Sequence, residues 1–84
     1  MKDYIELVKT CEACPEQYDA FRNGEQVGYL RLRWGLFRVR CPNSGGDIVL
    51  EMEPNGDGVF DPDERDVYLG LAIEAIQGWI EDHA

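Results

Sequence analysis

The stretch Gln26-Val-Gly-Tyr-Leu-Arg-Leu-Arg-Trp-Gly-Leu-Phe-Arg-Val-Arg-Cys41 decides the fold. Two runs that alternate apolar and basic residues flank Trp34-Gly35. With those two residues as a hairpin turn, Leu32 lies opposite Phe37 and Leu30 opposite Val39, all on one face. Arg31 then lies opposite Arg38, and Tyr29 opposite Arg40, on the other face with Arg33. Side chains repeat every two residues along a strand, so a slip of one position would bury the arginines and expose the leucines. The alternation therefore sets both the register and the face that becomes core.

Working outward, Gln17–Arg22 reads as a strand joined to Gln26–Arg33 by Asn23-Gly24, a pair that tolerates the positive φ of a tight hairpin. Pro42-Asn-Ser-Gly-Gly46 is a loop by composition, and Asp47–Met52 is the fourth strand. Parity places Ile48, Leu50 and Met52 on the core face. It places Asp47, Val49 and Glu51 on the arginine face, where the two acids are positioned to pair with Arg38 and Arg40. Residues 3–10 suit a short helix or a leading strand, and Pro15 ends any helix that reaches it. After a loop at 53–60, Asp61, Pro62 and Glu64 spell an N-cap, a first-turn proline and a capping box. Asp63, Glu64 and Asp66 favour the positive end of the helix dipole. Tyr68, Leu71, Ala72, Ala75, Ile76, Trp79 and Ile80 form an apolar stripe. Gly70 and Gly78 each cost roughly 1 kcal/mol in a helix, which points to close approach to the sheet. The expected architecture is α+β. It is a single domain over 1–84: a four-stranded antiparallel meander, a C-terminal helix on one face and a short N-terminal element.

Composition narrows the function. The 84 residues hold 17 acids against 8 lysines and arginines, for a net charge of -9. One domain of this size buries only roughly 60% of its unfolded surface, so a deep polar cavity would be costly and an enzyme is not expected. The charge is unevenly laid out. Residues 17–41 carry five arginines against two acids, whereas residues 42–84 carry one arginine against eleven acids. With 44% hydrophobic residues this is a folded, polarised chain and not an acidic tail. The balance argues against general nucleic-acid binding. No run approaches the ~20 apolar residues of a membrane span. Met1-Lys2-Asp3-Tyr4 has no apolar stretch behind it, so no secretory signal and a cytoplasmic location are expected. An unpaired edge on the first or fourth strand allows a homodimer as well as a monomer.

Four features are candidate sites. The arginine face (Tyr29, Arg31, Arg33, Arg38, Arg40) combines residue types favoured at protein interfaces, and its other reading is internal ion pairing. Arginines beside aromatics also suit phosphate or single-stranded nucleic acid. The loop Glu53–Glu64 has Asn55, Asp57, Gly58, Asp61 and Glu64 at positions 3, 5, 6, 9 and 12. It resembles the calcium loop of the EF-hand family, with Glu53 where that family places Asp. The resemblance implies Asn55, Asp57, the Val59 carbonyl and Glu64 as calcium ligands, and the other reading is a glycine-rich turn into a capped helix. Cys11 and Cys14 form a CxxC with Cys41 thirty residues on. Only Cys41 and His83 could complete a zinc site, and a redox role for Cys11 and Cys14 would want a thioredoxin-like βαβ setting that is absent, so reduced structural thiols are expected. The acidic C-terminal half suits mimicry of a phosphate backbone or plain solubility.

Nucleophilic catalysis lacks its parts, since His83 is the sole histidine and Ser44 sits in a loop with no evident base. Residues 17–30 resemble the opening hairpin of GNAT-type acyltransferases. The likeness stops there, since the chain lacks that fold's length and its Gly-rich coenzyme loop. No cofactor is expected, with calcium the one candidate ion. The expected function is a non-enzymatic interaction module, an inhibitor or nucleic-acid mimic that binds a partner protein. The alternative is a calcium-binding domain.

Overall fold

A computed structural model describes residues 4–11 and 15–83. It contains five strands, β1 (Glu6–Cys11), β2 (Glu16–Arg22), β3 (Glu25–Arg33), β4 (Leu36–Cys41) and β5 (Asp47–Met52), followed by helix α1 (Arg65–Asp82). The strands form one antiparallel sheet in sequence order. The β3–β4 register pairs Leu30 with Val39, Leu32 with Phe37, Arg31 with Arg38 and Tyr29 with Arg40. Those four apolar residues are fully buried.

Three expectations about the sheet need correction. The sheet has five strands and not four, because the N-terminal segment pairs with β2 and covers the edge expected there. Its eight described residues spread their apolar positions too thinly to separate a helix from a strand by period. Second, a bulge between Val39 and Arg40 shifts the β4–β5 ladder, so that Arg40 faces Ile48 and Cys41 faces Asp47. Ile48 therefore joins the arginine face, 47% exposed, while Val49 packs against the core. Third, the glycine that permits close packing lies on the sheet. A Cβ on Gly28 would come within 2.6 Å of the Ile76 side chain, whereas one on Gly70 or Gly78 would meet nothing within 4 Å.

The helix crosses β3, β4 and β5 on the core face. Ala72 and Ile76 are buried at its centre, flanked by Leu69, Ile73, Tyr68, Trp79 and Ile80. Leu69 and Ile73 take the contacts expected of Leu71 and Ala75. Beneath the helix start, Phe37 meets Phe60 edge-on at 4.9 Å, and Phe60 stacks on Tyr68 at 5.7 Å. Aromatic pairs of this kind contribute about 0.5–1.5 kcal/mol beyond their burial. They anchor the loop before α1 to the sheet.

Candidate interaction face

All core residues lie between the sheet and α1, and among the described residues no element packs on the opposite side of the sheet. That open side collects Tyr29, Arg31 and Arg33 from β3 with Arg38 and Arg40 from β4, the five residues singled out from the alternation. Their neighbours differ. Arg38 Nε bonds the Glu51 carboxylate at 2.8 Å, both side chains being well exposed. Such a pair stabilises by only about 0–1 kcal/mol. Arg40 donates to the Gly46 carbonyl at 3.1 Å and does not reach Asp47, which the bulge has turned toward Cys41. Tyr29 donates its hydroxyl to Gln17 at 3.1 Å. Arg31, Arg33 and Arg40 form no ion pair among the described residues. Arg31 Nε is shielded from water and has no acceptor.

The turn residue Trp34 completes the face, beyond the five residues that the alternation picks out. It is 81% exposed, and the Arg33 guanidinium lies over its ring at 4.4 Å. Its φ is +54° and that of Gly35 is +74°, the pair of positive angles a tight hairpin requires. The other hairpin meets the same demand with Asn23 and Gly24. Asparagine tolerates this region, whereas a bulky side chain there costs roughly 1–2 kcal/mol. The tryptophan is therefore held where neither burial nor backbone preference favours it. What could have flagged it is residue type: an indole in a position that calls for Asn, Asp or Gly.

Two shallow hollows join along the face. One of about 220 Å³ is lined by Arg31, Arg33, Trp34, Leu36 and Arg38. The next, of about 320 Å³, is lined by Tyr29, Arg31, Arg38, Arg40 and Ser44. A hollow of about 460 Å³ lies away from this face, between the Asn23 turn and the end of α1, with Arg22 and Glu25 both on its rim. Mixed charge there selects no ligand sign, whereas the shared walls of the first two hollows are cationic.

The acidic loop is organised around two carboxylates. Glu64 accepts the backbone N–H groups of Asn55 (2.9 Å), Gly56 (2.8 Å) and Asp61 (3.0 Å). The bond to Asp61 is the reach-back half of the expected capping box. The Asp61 side chain makes no cap, and the residue before α1 is Glu64 itself. Desolvation pushes the Glu64 carboxyl up, but these amides outweigh it and hold the group below its ordinary value. Of the four residues implied as calcium ligands, Glu64 thus has both oxygens on amides. Among the described residues, no three His, Cys, Asp or Glu side chains converge to hold a metal ion.

Sequence reasoning missed the second carboxylate. Glu16 is 1% exposed and accepts from Phe60 N–H at 3.0 Å, Arg65 Nε at 2.9 Å, Arg65 Nη2 at 3.2 Å and the Tyr18 hydroxyl. Burial raises its pKa, yet the bonds from Arg65, Tyr18 and Phe60 and the Arg65 charge bring it below the usual value. Burial and the neighbouring carboxylate push the Tyr18 hydroxyl up to about 12. The cluster ties β2 to the loop and to the first residue of α1. The signal available in the sequence was parity: Glu16 shares the face of Tyr18 and Ala20, where an unpaired acid is untenable.

The remaining candidates are dispersed. Cys41 is buried, with its thiol pushed up to about 11 by burial and by the Asp47 charge. Cys11 is half-buried at the end of β1, and Cys14 lies outside the described residues. His83 stacks on Trp79 at 4.4 Å and places Nδ1 2.8 Å from the Trp79 carbonyl, an acceptor that puts the ring proton on that nitrogen. Among the described residues no helix is long and apolar enough to cross a membrane. Comparison with protein families, with curated proteins and with solved structures finds no match to this chain.

Proposed function

We propose that this chain is a small non-enzymatic interaction module that binds a partner protein through the open face of its sheet. One observation carries the reading. Arg31, Arg33 and Trp34 form a contiguous patch in which neither cation forms an ion pair among the described residues and the indole is 81% exposed. Arginine and tryptophan are the residue types that dominate binding energy at interfaces, where desolvation strengthens their contacts. The engagement of the His83 ring by Trp79 and the burial of Cys41 support a binding role over a catalytic one.

Affinity capture tests the proposal. The wild-type chain is immobilised beside Arg31→Glu/Arg33→Glu and Asp63→Lys/Asp66→Lys. A saturable partner retained by wild type and by the helix-start variant, and lost with the arginine variant, is the expected result. Loss with the helix-start variant alone would assign binding to the acidic half, as a phosphate-backbone mimic would require. Equal capture by all three would refute a role for either surface.

A further inference from the structure

We infer that the occupant of the open face is an extended acidic segment of a protein, with carboxylates at alternate positions and an apolar or aromatic residue that covers Trp34. This rests on the interaction reading above and names the partner's chemistry.

Three features of the patch oppose stability. Arg31 and Arg38 lie directly opposite each other, and like charges so placed destabilise a sheet. Glu51 compensates Arg38 alone. Arg31 Nε, shielded and without an acceptor, leaves a donor unsatisfied. Trp34 combines an exposed indole with a left-handed backbone. A carboxylate between Arg31 and Arg38 would relieve the first cost, and an apolar side chain on Trp34 would bury the indole.

Spacing selects an extended ligand. Arg31 and Arg33 project from one face two residues apart, roughly 6.6 Å along the strand, which is also the repeat of alternate side chains in an extended peptide. From Tyr29 to Arg33 the cationic strip runs roughly 13 Å, room for two or three carboxylates and one anchor. Charge then separates a peptide from a nucleic acid. The chain is -9 overall, and Asp57 shares the hollow of about 450 Å³ lined by Arg31, Arg33 and Trp34. A polyanion longer than the strip meets the acidic remainder of the chain within about one Debye length, roughly 8 Å, whereas a short segment sets an uncharged residue against Asp57.

The test follows amide and indole N–H signals during titration with capped heptapeptides. The probes are Glu-Thr-Glu-Thr-Glu-Thr-Phe, its Gln-for-Glu analogue, its Phe-to-Ala analogue and an eight-nucleotide oligothymidylate. The expected result is movement of the Trp34 indole and of amides 31–38 by the acidic peptide at ~1 mM or below. The Gln analogue should bind at least about tenfold more weakly, the Ala analogue should leave the indole unmoved, and Arg31→Gln/Arg33→Gln should remove the response. Unchanged amide dispersion in that variant verifies its fold. Silence with the acidic peptide, or equal shifts with the Gln analogue, overturns the inference. Tighter binding of the oligothymidylate overturns it and the protein-partner reading together. A captured partner whose contact segment is not acidic overturns this inference and leaves the interaction reading standing.

Discussion

Replacing Glu16 with Gln tests how this thin-cored fold holds its loop and helix in place. The carboxylate receives four hydrogen bonds, two of them from the Arg65 guanidinium. An amide offers one oxygen and turns an NH2 toward donors, so at least one buried donor loses its acceptor and Arg65 loses its counter-charge. Breaking one side of a buried pair costs about 3–5 kcal/mol. The Arg65 side chain keeps 31% of its exposure, so water screens part of its charge. We therefore expect about 2–4 kcal/mol. That is a large share of the roughly 4–13 kcal/mol available to a chain of this length. The midpoint of thermal unfolding should fall by roughly 10–25 °C.

Acid sensitivity should change with it. The folded pKa of Glu16 lies below its ordinary 4.5, so its contribution is complete above that value and is lost as pH falls through the folded pKa. Glu16→Gln should lack this acid-labile component and keep the one from Glu64, whose pKa is lowered in the same direction. Thermal and urea unfolding of Glu16→Gln, Arg65→Gln and the double variant give the coupling. The double variant should lose clearly less than the two single losses added together. A Glu16→Gln midpoint equal to wild type, or single losses that simply add, would refute the clamp.

Three further outcomes follow. Gly28→Ala drives a methyl to within 2.6 Å of Ile76 Cδ1 and should cost about 1–3 kcal/mol, whereas Gly70→Ala, with open space around it, should gain roughly 0.5–1 kcal/mol; urea denaturation reads both. Trp34→Asn should raise stability by about 1–2 kcal/mol, because asparagine suits φ +54°, while partner capture falls. Amide shifts of Gly56–Val59 should stay fixed under millimolar calcium, because Glu64 has both oxygens on amides, and Glu64→Gln should speed hydrogen exchange at Asn55 and Gly56.

The β3–β4 register was legible because its two faces differ in charge as well as in apolarity, so only one pairing avoids burying arginine. The turn at Asn23-Gly24 and the helix were legible from local chemistry. The bulge at Val39/Arg40 was not, since Val49 and Ile48 are equally apolar and parity alone cannot tell which one the strand spares from the core. The first strand was too sparse in apolar residues to show a period. For the candidate face, the arginines followed from alternation, but Trp34 was read as a turn because position outweighed residue type. Glu16, Tyr18 and Arg65 stayed hidden because 49 residues separate the two ion-pair partners, and only the meander brings them together.

The most direct test of the open face as the binding surface is site-specific photo-crosslinking in the full chain, with a photoreactive aromatic residue, which keeps a ring at the site, in place of Trp34 or of Val67, an exposed position on α1. A crosslink to one partner protein from position 34, absent from position 67 and abolished by Arg31→Glu/Arg33→Glu, is the predicted result. A crosslink from position 67 with none from position 34, or one from position 34 that survives the charge reversal, would contradict it.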